Sequence, residues 1–144
     1  MKNFLEANKD IGILILRVTI GCAFALIYGK MKIEAGPDMW TMIGGALSNF
    51  GINFGHTFFG FMATISEFGG GILLILGLFV RPAVLFMAFT MIIATSTHLF
   101  MHDQWYNVMN PINMLAVFIA LLFFGAGKYS LDYIFFQRRK LNKN

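Results

Sequence analysis

Four long apolar runs separated by polar breaks set the frame of the chain. The first extends from about Ile11 to Tyr28 and continues to Lys32, and the second from Thr57 to Val80. The third runs from Pro82 to about Met101, and the fourth from about Val108 to Gly127. Each has roughly the 20 apolar residues that take an α-helix across a bilayer. The pattern predicts an all-α membrane protein, a four-transmembrane-helix bundle. Arg81-Pro82 reads as a turn of minimal length, with Pro82 in the first turn of the third span, where its missing N–H is no loss.

Residues 33–56 break the pattern with Gly, Pro, Asn and Ser among aromatics. Asp38 can cap a short helix whose apolar face is Met39, Trp40, Ile43, Leu47 and Phe50. We expect a short interfacial helix in the loop between helices 1 and 2, with Trp40 at headgroup level; a lid over a lipid-accessible pocket is the alternative. After the fourth span, Ser130 can cap a terminal helix over residues 131–136, followed by Gln137-Arg138-Arg139-Lys140. Residues 1–136 then form one transmembrane domain and 137–144 a basic cytoplasmic tail suited to an anionic leaflet.

The second span holds a single charge, Glu67. A carboxylate at membrane depth costs at least about 2.5 kcal/mol, so a partner or a use is expected for it. Thr57, Gly60, Thr64, Glu67 and Gly71 fall on one helical face, small and polar, which should look towards other helices. Gly69-Gly70-Gly71 reads as a tight packing surface, with a kink beside Glu67 as the alternative.

Composition supports the same class. Of 144 residues, 58% are hydrophobic and 12% charged, against about 25% charged in soluble domains. The net charge of +4 comes from basic residues at span ends rather than along a groove, which excludes nucleic acid as a partner. Cys22 is the only cysteine, so no intramolecular disulfide or CxxC pair exists. The first run holds Arg17 and lacks a small-x-small cleavage site, so it should remain as a span. Four spans put both termini on one side, with Lys2, Lys9, Arg81, Lys128, Arg138, Arg139, Lys140 and Lys143; the other side has Lys30 and Lys32. This asymmetry predicts cytoplasmic termini.

At about 1.5 Å per residue, Glu67 stands about 21 Å from the terminal side, His98 about 24 Å, Asn113 about 21 Å and Tyr28 about 27 Å. Lys32 and His102 lie one turn further out. Met87, Met91, Thr95, His98 and His102 share a stripe, as do Arg17, Gly21 and Tyr28. A polar layer of carboxylate, imidazole, phenol, amide and ammonium is therefore expected near the outer leaflet. Arg17, about 10 Å up, either snorkels to the near headgroups or faces the bundle, where it can reach Glu67 only with both side chains stretched. An apolar, outward-facing cavity with a Glu/His pair suits a quinone, whose carbonyls need donors and whose reduction needs protons. Three other readings stand beside it: interhelical packing at about 0.6 kcal/mol per polar contact, metal or haem ligation by His98 and His102, and transport of a small solute.

Several segments carry a family resemblance: Leu16-Arg17-Val18, Gly29 with Lys32, Glu67-Phe68-Gly69-Gly70, Leu76-Gly77-Leu78-Phe79-Val80-Arg81, and Gly125-Ala126-Gly127-Lys128-Tyr129-Ser130-Leu131-Asp132. Their order and spacing over roughly residues 11–133 resemble the DoxX family of small four-helix bacterial membrane proteins. Tyr28 stands where the family pattern leads us to expect His. The family is named for a subunit of a thiosulfate:quinone oxidoreductase, and other members resemble membrane partners in oxidative-stress or thiol-redox complexes. The resemblance implies a redox-linked subunit of the bacterial inner membrane, with membrane lipid, a quinone and a soluble or membrane oxidoreductase as partners, and with homo-oligomers permitted by the small-residue faces. With no GxGxxG and no cysteine ligand set, the chain is expected to hold no covalently bound cofactor and no metal, and not to act as an enzyme alone. Glu67 is the expected proton carrier with His98 as second acid–base group; Tyr28, Lys32, His102, Asn113 and Arg17 are the expected ligand contacts. The alternative is a non-catalytic anchor that recruits a soluble enzyme through the basic tail. The Gly125–Asp132 segment is expected to end a helix and anchor it at the headgroups, with Asp132 paired to Arg81 or Lys128.

Overall fold

The computed structural model describes residues 2–137, with side chains from Asn8 to Phe135; the basic tail from Arg138 onward lies outside the described residues. It is a helical membrane bundle with four helices long and apolar enough to cross. The first span is α1, Lys2–Cys22, which passes through a π-helical turn at Ala23–Gly29 into α2, Lys30–Gly44. The others are α3, His56–Leu76, α4, Val80–Phe100, and α5, Trp105–Phe124.

Helix α3 is the central element, packed on α1, the π-helical turn, α2 and α4, while α5 lies on α4 and closes onto α1. Small residues bring the backbones of α1 and α3 together. A Cβ on Gly21 would stand 2.7 Å from Gly71 O, and one on Gly71 2.6 Å from Ala25 N. The glycine run of α3 is thus a packing surface, with Gly70 against Met87 of α4, and α3 continues unbroken through it. Towards the terminal end, Ile13, Ile20, Leu74, Val80, Val84, Met87 and Leu121 form an apolar core, with the Phe24 and Phe118 rings edge to face at 5.3 Å.

The short helix expected after the first span is present, continuous with it except at Gly36 (φ 75°, ψ −159°). It lies along the first turns of α3: Gly44 abuts the His56 carbonyl, Gly60 abuts the Trp40 carbonyl, and Thr41 and Thr57 share a hydroxyl hydrogen bond of 2.6 Å. A 3₁₀ segment, Gly45–Phe50, then reaches α4, where Phe50 meets Phe100 at 6.0 Å.

The second and third spans join differently from expectation. Helix α3 stops at Gly77 (φ 67°), with Gly77 N–H donating to Leu74 O and Leu78 N–H to Leu73 O. That pairing is the Schellman stop that glycine favours. The turn is therefore Gly77-Leu78-Phe79, and Arg81-Pro82 belong to the first turn of α4. Pro82 keeps its expected role there, since that turn's N–H groups have no partner inside the helix.

Candidate functional site

The buried stripe of α3 is the one expected from sequence except at Thr57, which is exposed and meets Thr41. Gly60, Thr64, Glu67 and Gly71 are all buried, with Thr64 Oγ1 donating to Gly60 O at 2.8 Å. Glu67 is only 2% exposed. Its carboxylate is met by the ammonium of Lys32 in a hydrogen-bonded ion pair. The Lys32 side chain retains 22% of its exposure, so the pair is buried on the Glu67 side and open on the Lys32 side. Trp40 covers it from the end away from the termini: its indole N–H donates 2.9 Å to the Lys32 carbonyl, and its ring packs on Phe61 at 4.9 Å.

The π-helical turn sets which residues of the first span reach this site. Lys30 N–H donates to Ala25 O, five residues back, so the turn holds one residue more than an α-helix would. The face towards α3 passes from Phe24 and Ala25 to Gly29, whose missing side chain lets Phe68 approach. Lys32 follows, and because side chains lean towards the helix N-terminus its ammonium drops to the level of Glu67. Tyr28 is rotated outward. It is 51% exposed and packs on Phe24 at 5.5 Å, off the face it was expected to share with Arg17 and Gly21.

The expected polar layer does not assemble. Thr90 of α4 donates to Ser66 at 3.3 Å, which fixes the level of Glu67 on α4. His98 is eight residues, about 12 Å, further out. There its Nδ1 pairs with Asp103 at 2.7 Å. The depth estimate misplaced it because α3 ends at Gly77, so α4 is displaced against α3. His102 leaves the expected stripe, since α4 ends at Phe100 and His102 itself takes a left-handed conformation (φ 53°). Its Nδ1 lies 3.1 Å from Phe100 O. Asn113 faces outward on α5. No group of three or more His, Cys, Asp or Glu among the described residues is placed to hold a metal.

Arg17 belongs to the opposite end and makes no link to Glu67. It is 1% exposed, its Nη2 donates to Tyr129 O at 2.6 Å, and its guanidinium fills the space beside the missing Cβ of Gly77. Gly77 is ten residues, about 15 Å, along α3 from Glu67.

Asp132 does not pair with Arg81 or Lys128 as expected. Its carboxylate accepts from Phe79 N–H at 2.8 Å and Val80 N–H at 3.0 Å, and its own N–H donates to Gly77 O. Lys128 turns to Asp10, by its backbone N–H at 3.1 Å and its ammonium at 3.5 Å. Ser130 caps the start of the terminal helical segment as expected, accepting from Tyr133 N–H at 3.1 Å. The Gly125–Asp132 segment thus clamps α1, the α3–α4 turn and the end of α5 together. A signal for the Asp132 role was present: Leu78-Phe79-Val80 has no capping residue, so the first amides of α4 needed an acceptor from elsewhere.

No curated protein and no solved structure matches the chain. The family model described as DoxX matches residues 12–103, a stretch with Arg17, Lys32 and Glu67 inside it and the Gly125–Asp132 clamp beyond it. The chain belongs to the DoxX family.

Proposed function

We propose that this chain is the membrane subunit of a redox system and holds the head group of a quinone, or of a lipid with a similar polar head, beside Lys32 and Glu67. The observation that carries this reading is the asymmetry of the ion pair, with a carboxylate 2% exposed and an ammonium open on one side. An ammonium has three N–H donors, and Glu67 takes one. A quinone carbonyl can accept from another, and Glu67 is then the nearest group to hold the proton which that oxygen takes on reduction. Reduction to the quinol consumes two electrons and two protons, and the electrons come from a partner oxidoreductase. The basic span ends favour the bacterial inner membrane with cytoplasmic termini, and in that orientation the pair would lie in the outer half of the bilayer.

The test is mass spectrometry of quinones and lipids that co-purify in mild detergent, comparing wild type with Glu67→Gln and Lys32→Met. A stoichiometric quinone in wild type, lost in both variants, supports the reading. Bulk phospholipid alone in all three samples overturns it.

The clamp favours a second reading, a membrane anchor. It fixes the chain just ahead of the basic tail through Arg17, Asp10 and the start of α4. In that case removing residues 138–144 abolishes membrane recruitment of the partner enzyme, and Glu67→Gln leaves recruitment intact.

A further inference from the structure

A separate site lies at the terminal end. An open cleft of about 470 Å³ is bounded by the start of α1, the α3–α4 turn and the clamp, with Asp10, Arg81, Lys128, Ser130, Asp132 and Tyr133 among its lining residues. Its acids are already engaged. Asp132 gives both oxygens to the first amides of α4, and Asp10 is held by Lys128. Its cations keep spare donors. Arg81 is exposed and makes no hydrogen bond or ion pair among the described residues, and its guanidinium lies over Gly125, with Nε and Nη2 each 3.7 Å from where a Cβ would stand. The Lys128 side chain is 63% exposed and meets Asp10 only at 3.5 Å. Under Ser130, on the inner side of the cleft, the buried Arg17 keeps Nε and Nη1 without a hydrogen-bond partner. Three cations therefore stand against two engaged carboxylates.

We propose that this cleft binds the anionic head group of a phospholipid, with Arg81 and Lys128 gripping the phosphate. Guanidinium and phosphate match as a planar donor fork to a set of acceptor oxygens. The position favours a lipid over a soluble phosphate ester. Arg81 is in the first turn of α4, where the apolar span begins, and Phe79 and Tyr133 wall the cleft at that level. A head group held there leaves its acyl chains beside the exposed Phe86 and Phe89 of α4. The N-terminus of α4 is not itself the site, because Asp132 occupies it.

The experiment is native mass spectrometry of the full chain released from detergent, titrated with phosphatidylglycerol and, separately, phosphatidylcholine. Wild type should retain phosphatidylglycerol preferentially. Arg81→Gln and Lys128→Gln should each lower that retention roughly fivefold, the effect of one basic residue at an anionic surface. A variant with Arg138, Arg139 and Lys140 all changed to Gln separates the cleft from the tail and should keep the preference. Loss of preference in the tail variant with retention in Arg81→Gln overturns the proposal. Displacement of phosphatidylglycerol by millimolar inorganic phosphate also overturns it, by assigning the cleft to a soluble anion.

Discussion

Lys32 and Glu67, 35 residues apart, form an ion pair inside an apolar bundle, and each explains the presence of the other. Removing one partner leaves an uncompensated charge in a low dielectric, whereas replacing both with neutral groups does not. Lys32→Met should therefore cost up to about 3 kcal/mol, the lower end for a buried pair because the lysine is partly open. The double variant Lys32→Met/Glu67→Gln should recover most of the loss. Thermal unfolding in detergent checks both; equal destabilisation by single and double variants would show that the pair is not the source.

Asp132 reaches across 53 residues to cap α4 through Phe79 and across 52 through Val80. Asp132→Ala removes the acceptor for two helix-end amides and should cost about 1–2 kcal/mol. Asp132→Asn keeps one acceptor oxygen and should lose less. Hydrogen exchange at Phe79 and Val80 reports the cap directly, and unchanged protection in Asp132→Ala would refute this role.

Gly77 combines two demands: a left-handed φ of 67° and room for the Arg17 guanidinium where a Cβ would be. The backbone strain alone is worth about 1–3 kcal/mol, and displacing a fully buried Arg adds to it. Gly77→Ala should thus reduce the yield of monodisperse protein sharply. Gly12→Ala, with nothing within 4 Å of its Cβ, should not. Comparable yields from the two variants would contradict the packing of Arg17 described above.

What could be read from the sequence was what depends on local pattern. The spans follow from apolar runs, the inward face of α3 from a period of 3.6, the Ser130 cap from residue type, and the short helix after the first span from the Gly, Pro, Asn and Ser break at residues 33–56. What escaped it was phase and long-range pairing. Tyr28 and Arg17 share a face only if the first span is a uniform α-helix, and one additional residue in the Ala23–Gly29 turn rotates Tyr28 out and brings Gly29 and Lys32 in. Counting from Arg81-Pro82 sets His98 at the depth of Glu67, whereas the turn starts four residues earlier, at Gly77. Charge alone suggests neighbouring cations as the partners of Asp132. Backbone amides won, since the exposed start of a helix carries concentrated positive potential that a surface Lys, free to meet water, does not match.

Gly36 tests whether the arm over the ion pair is held by backbone geometry. Its φ of 75° with ψ −159° lies in a region essentially restricted to glycine, yet nothing stands within 4 Å of a Cβ there. An alanine would therefore meet no clash, and its cost of about 1–3 kcal/mol is conformational. Pro37 disfavours the α region at the residue before it, so the relief open to an alanine is an extended conformation at negative φ, which redirects the arm. That would lift Trp40 off Phe61 and break its hydrogen bond to the Lys32 carbonyl. In a Trp105→Phe background Trp40 is the only tryptophan, so its fluorescence reads the arm alone. Gly36→Ala should shift its emission to the red and raise quenching by acrylamide. Gly45→Ala, at an ordinary φ of −58° and equally free of neighbours, should leave both unchanged. A Trp40 spectrum indifferent to Gly36→Ala would mean that the Gly44 and Gly60 contacts with α3, rather than the Gly36 bend, hold the arm over Lys32 and Glu67.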